Sequence, residues 1–188
     1  TLSSSSAASD VYKRQTPDLL PLVALEQDAI DRIVASVPGG AANVQDIYPL
    51  GPLQAGILYH HLAAGDNDPY LLQPQFAFAD ESRLEAFSNA LQRVIERNDI
   101  LRTALLWEGL QAPVQVVWRE ARLKVDEIPL QDLASAPRMD LTQAPLLHLV
   151  HARDPVTQRI SAVLRFHHVV MDHGALEVLG HELQAMLL

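Results

Sequence analysis

The sequence predicts an α/β chain in which strands and amphipathic helices are interleaved. Three observations carry this. Ile160, Ala162, Leu164, Phe166 and His168 alternate with Ser161, Val163, Arg165 and His167, which is the period of a strand. Leu84, Phe87, Leu91 and Val94 recur at the spacing of one helix face. Apolar residues make up 48% of the 188, enough for one domain with a real core.

Thr1 to Gln15 is rich in Ser and Ala, lacks periodicity and carries a basic cluster. It reads as foreign sequence or as a disordered linker, and stands outside the fold. Residues 16–42 read as a linker with one short helix. Its stripe is Ile30, Ile33, Val34 and Val37, and Pro38-Gly39-Gly40 ends it. In the next helix Pro52 suits the first turn. Leu53, Ile57 and Ala64 share one side of it, with His60 and His61 flanking the Ile57 row.

Tyr70 to Ala79 reads as a strand, and Ser82 and Glu85 have capping-box spacing before the helix of Leu84 to Val94. Asp99 to Trp107 reads as another strand, with Ile100, Arg102 and Ala104 on one face. Gly109 marks a turn, beyond which Val114, Val116 and Trp118 alternate. Leu123 to Ile128 is a further strand, followed by a helical turn near Asp132. Leu146–Arg153 and Arg159–His167 make a hairpin across Asp154-Pro155. Leu176, Leu179, Leu183 and Leu187 then fall at helical spacing, and the sequence stops inside that pattern without a cap, as in a truncated chain.

The totals exclude several classes. A net charge of −9 argues against nucleic acid and anionic membranes as main partners. With no cysteine there is neither a disulfide framework nor a thiol nucleophile. No apolar run reaches transmembrane length and no secretory signal is recognisable, so a cytoplasmic protein is the default expectation.

Ionisable residues at the end of an apolar strand mark a site. Here they are His167 and His168, then Asp172 and His173. Together they invite a metal reading, but neighbouring strand residues point to opposite faces, so His167 and His168 diverge and no metal site is expected.

HHVVMDHGAL resembles the HHxxxDG motif of nonribosomal peptide synthetase condensation domains, whose superfamily includes chloramphenicol acetyltransferase-like acyltransferases. His167, His168 and Asp172 match, and His173 replaces the usual glycine. YPLGPLQAGILYHH is similar to the opening of such domains. RNDILRT resembles their RHxxLRT signature, with Asn98 in place of histidine. MDLTQAPLLHLV resembles DLxxxPLxR, with His148 in place of arginine. HHLAAGDND resembles the HH[I/L]xxxxGD element of dual epimerization/condensation domains; His60, His61, Leu62 and Asp68 match, and Asn67 replaces glycine.

The resemblance implies a chloramphenicol acetyltransferase-like N-terminal lobe over residues 43–188, an α+β sandwich with a mixed sheet flanked by helices. It implies peptide-bond formation between carrier-bound donor and acceptor, with epimerization of the donor residue. His168 takes the central role, His167 flanks it, Asp172 is structural and pairs with Arg102, and His60 and His61 belong to epimerization. No cofactor is bound directly; substrates ride on phosphopantetheine arms. The expected partners are upstream and downstream carrier domains, the adenylation domain and the missing C-terminal lobe, without which the chain is inactive. A plain condensation domain, another carrier-dependent acyltransferase and a catalytically silent interaction module of the same fold are the alternatives.

Overall fold

A computed structural model describes residues 16–17, 20, 22–65, 68–171 and 180–181. Helix α1, Gln27–Ser36, is followed by strand β1, Val44–Pro49, and helix α2, Pro52–Ala63. Short strands β2, Leu71–Leu72, and β3, Gln75–Phe78, precede the long helix α3, Glu81–Arg97. Then come β4, Thr103–Leu106; β5, Val114–Trp118; β6, Lys124–Glu127; β7, Leu147–Arg153; and β8, Ile160–His167.

The strands form two sheets. One is antiparallel, ordered β1-β5-β4. The other is mixed: β2 and β3 both pair antiparallel with β8, β8 with β7, and β6 runs parallel to β7. The mixed sheet flanked by helices is the expected architecture. The β7–β8 hairpin is also as expected, with Leu147 opposite Phe166 and Arg153 opposite Ile160.

The core explains the periodicities. Leu84, Phe87, Leu91 and Val94 of α3 bury in one cluster with Ala162, Leu164 and Phe166 of β8. The opposite face of β8 is also covered, since Val163 packs with Leu133, Val150 and Ala152. A strand buried on both faces cannot show a polar side, which is why Arg165 and His167 stand out in it. The segment read as a linker contributes Leu20, Ile30, Ile33 and Val37 to the main core, so α1 is a packed part of the domain.

Three local expectations are corrected. Tyr70 to Ala79 is two short strands, because Pro74 has no N–H for the ladder; its carbonyl still accepts from Leu164 N at 3.1 Å. The cap of α3 is Asp80, whose Oδ1 accepts from Arg83 N at 3.0 Å and from Ser82 Oγ at 2.6 Å, so Ser82 lies inside the helix. Asp99–Arg102 is a 3-10 turn, and the strand starts only at Thr103.

Candidate active site

Helix α2 reaches the site through packing and one amide. Ile57 and Leu58 bury against Val169, Val170, Leu105, Leu141 and Leu146 in a second apolar cluster. Gln54 accepts from Gly51 N at 2.9 Å and donates to Val169 O at 3.4 Å. The start of α2 is thereby tied to the 3-10 turn His168–Val170 that closes β8. This orientation buries Ile57, Leu58 and His61, while Leu53 and His60 are exposed; the expected Leu53–Ile57–Ala64 face is not the packed one.

His61 lies one residue from exposed His60 and is 2% exposed. Its Nδ1 meets Asp68 Oδ2 at 2.5 Å. His167 Nε2 meets the same oxygen at 2.9 Å, across 99 residues of sequence. His167 Nδ1 accepts from Val169 N at 3.2 Å, so in the neutral ring the proton sits on Nε2 and points at Asp68. Asp68 Oδ1 accepts from Tyr70 N at 2.9 Å. The two imidazoles meet edge to face with centroids 5.2 Å apart. One buried carboxylate thus joins helix α2, the loop before β2 and the end of β8.

The electrostatics follow from this geometry. Burial pushes the Asp68 carboxyl up, but hydrogen bonds from His61, the Tyr70 N–H and His167 outweigh it and hold it below the usual carboxylate range. Burial lowers His167, and its hydrogen bond to Asp68 offsets only part of that, so this imidazole favours its neutral form.

His168 is placed differently. It is half-buried, and its N donates to Tyr70 O at 2.9 Å. Its Nδ1 is buried with no hydrogen-bond partner among the described residues. The Tyr70 ring stands between the histidines, its centroid 6.3 Å from His168, 6.5 Å from His167 and 6.0 Å from His60.

Residues 44–187 match the condensation domain family. The chain belongs to that family. It is 47% identical over 186 residues to the malpibaldin synthetase of Mortierella alpina, covering 92% of this chain and 3% of that protein. It is 45% identical over 187 residues to the malpinin synthetase of the same organism, covering 92% and 2%. The chain therefore spans a few per cent of the length of these relatives.

Several solved structures share the fold. A four-domain nonribosomal peptide synthetase bound to AMP and glycine gives a TM-score of 0.60 at 18% identity, covering 76% of this chain and 12% of that one. The cyclization-docking bidomain of EpoB from Sorangium cellulosum gives 0.59 at 20% identity, covering 75% and 30%. The starter condensation domain of the rhizomide synthetase gives 0.57 at 18% identity, covering 74% and 38%.

Within this condensation domain the sequence-predicted residues fall into three groups. His60, His167 and His168 are brought together around Tyr70, and His61 joins them through His167 and Asp68. Asp172, with its neighbour His173, lies outside the described residues, as does Asn67. Arg102 sits apart from the histidines in hydrogen bonding: its Nη2 pairs with Asp99, and its Nη1 donates to Gln45 Oε1 at 2.9 Å, to Trp118 O and to Arg119 O at 3.2 Å. The shared strand face expected for Ile100, Arg102 and Ala104 does not exist, because Arg102 ends the 3-10 turn.

Tyr70 and the bridging role of Asp68 were missed in the sequence. The matched Asp68 was a signal, but nothing in spacing links it to His167.

His61, Asp68 and His167 also offer metal-ligand atoms within 4.8 Å of one another. Their contacts at 2.5 and 2.9 Å are hydrogen-bond separations. Ligands around a tetrahedral zinc ion at about 2.0–2.1 Å would stand roughly 3.3 Å apart. These separations fit a hydrogen-bonded unit better than a metal centre. His148, read as the replacement for a family arginine, bonds Asp126 at 2.7 Å across the β6–β7 pair.

Proposed function

We propose that the chain is the N-terminal lobe of a nonribosomal peptide synthetase condensation domain that joins carrier-bound donor and acceptor. The acceptor amine attacks the donor thioester carbonyl. The C–N bond forms, the C–S bond breaks, and the amine proton ends on the departing thiol. His168 is the group at the reacting atoms: with Nδ1 buried, its Nε2 is the nitrogen left to orient the amine or take its proton. The single observation that carries the reading is the meeting of two distant histidine pairs at the end of β8, where the buried Nδ1 of His168 has no hydrogen-bond partner among the described residues.

In this reading Asp68, His61 and His167 position His168. The bond from Val169 N to His167 shapes the very turn that carries His168. Asp172 acts as a structural group, and Arg102 supports the fold through Asp99, Gln45 and the carbonyls of Trp118 and Arg119. Epimerization of the donor residue precedes condensation, and His60 is its best candidate on α2, because it is exposed while His61 is sealed. The substitution of Asn67 and the burial of His61 favour the plain condensation reading as the alternative.

The remaining lobe completes the tunnel. The 71% and 69% exposed side chains of Leu53 and Tyr59 on α2 are apolar surface available for cover, and the 188-residue chain alone is inactive.

The test is a product assay on the complete domain with both carriers, run with L- and D-terminal donors and chiral analysis of the dipeptide. The reading expects one D-configured product from both donors. Condensation of only the L donor, without inversion, would replace it with plain condensation. No peptide bond from either donor would leave the silent module.

A further inference from the structure

Arg165 lies on β8 two residues before His167, on the same side of the strand, and is 5% exposed. Its Nη2 donates to Asp132 O at 3.4 Å, Ser135 O at 3.0 Å and Ser135 Oγ at 3.2 Å, all neutral acceptors. Its Nε is buried without a hydrogen-bond partner among the described residues. None of the ion pairs among the described residues includes it. A buried guanidinium with no counter-charge is costly unless something supplies one.

Arg165 forms part of the wall of a groove of about 450 Å³ that also presents Arg122, Lys124, Arg138, His148 and Asp140. In a chain of net charge −9 this is a concentration of cations. Among the described residues, two carboxylates near these cations, Asp140 and Asp126, are engaged. Asp140 Oδ1 accepts from Thr142 N at 2.9 Å and Thr142 Oγ1 at 2.6 Å. Asp126 is shared between Lys124 at 3.3 Å and His148 at 2.7 Å. Arg138 Nη1 donates to Ala64 O at 2.5 Å and Gly65 O at 3.2 Å, which ties the groove's rim to the loop leading to Asp68.

We propose that this groove binds a phosphate-ester anion. Resting on the condensation reading, its occupant is the phosphodiester of a carrier's phosphopantetheine arm. Several guanidinium and ammonium groups around one groove match a phosphate, which accepts from more than one cation at once. The phosphodiester is also the one anion that such an arm carries into the domain. The groove would hold the arm by its charged end while the thioester reaches towards His168.

The test uses the complete domain, with 4′-phosphopantetheine, pantetheine and inorganic phosphate as calorimetric probes. The proposal expects phosphopantetheine to bind, pantetheine to bind at least tenfold more weakly, and added salt to weaken the phosphorylated probe alone. The exposed double variant Arg122→Ala/Lys124→Ala should lose at least tenfold in that affinity. It should also raise KM for a carrier-bound donor or acceptor with kcat retained. Arg165→Lys, which keeps the charge but loses the fork, should weaken the probe less than Arg165→Met. Equal binding of pantetheine and phosphopantetheine, or full affinity in the double variant, would overturn the site. Probe binding with unchanged KM for both carriers would overturn the arm as its source. A wild-type domain that binds the probe but forms no peptide bond would sink the condensation reading and leave the anion site standing.

Discussion

His167 and His168 are adjacent in sequence and opposite in environment. His167 is fully buried, with both ring nitrogens engaged, one by Val169 N and one by Asp68. His168 is half-buried, and its Nδ1 has no partner among the described residues. The same contrast runs through the other pair: His61 is locked to Asp68, and His60 is exposed beside Tyr59 and Tyr70. A buried group with every bond made has no capacity left for substrate, whereas a half-exposed ring beside such a group inherits a fixed position. Each HH pair therefore divides into a holder and a presenter.

Removing the shared acceptor tests the holders. Asp68→Ala would leave His61, His167 and Tyr70 N without their common partner in a buried site. A stability loss of roughly 3 kcal/mol is expected by urea denaturation. Asp68→Asn should lose less, because one carbonyl oxygen can still accept. An Asp68→Ala variant as stable as wild type would break the comparison.

Acid should act on the same region. Asp68 and His167 both have folded pKa values below their unfolded ones. In both cases the unfolded chain binds more protons, so stability is present above the unfolded value and is lost as pH falls towards the folded one. The decline should begin below about pH 6.5, where an ordinary imidazole charges, and steepen below about pH 4 as carboxylates protonate. His148, also lowered by burial, acts in the same direction as His167 in the first stage. Unfolding midpoints at pH 7.5, 5.5 and 4 would show this, and a midpoint that rises on acidification would contradict it.

The presenters should be nearly silent in stability. His60→Ala is expected to change the unfolding free energy by no more than about 0.5 kcal/mol. It should lower activity on an L-terminal donor while sparing a D-terminal one. A large stability loss at His60 would mean that it, too, is a holder.

Much of the fold was legible because it rests on local pattern. The alternation in β8, the stripe of α3 and the hairpin turn at Asp154 each depend on residues within a dozen positions. Where the sequence misled, a competing local group won. Pro74 split a strand, Asp80 took the cap from Ser82, and Arg102 was drawn into a 3-10 turn by Asp99 three residues earlier. The histidine pairs were legible as types and motifs. Their division into buried and exposed members was not, since it depends on the rotation of α2 set by Ile57 and Leu58 and on a contact between Asp68 and His167.

The most direct measurement is dipeptide formation by His168→Ala in the complete domain, using a donor already in the D form and recording the unfolding midpoint of the same sample. Turnover should fall by about 10²–10⁴-fold, the usual worth of a positioned acid–base group, with the midpoint unchanged. Near-native turnover by a folded His168→Ala domain would contradict the assignment of the chemistry to this imidazole.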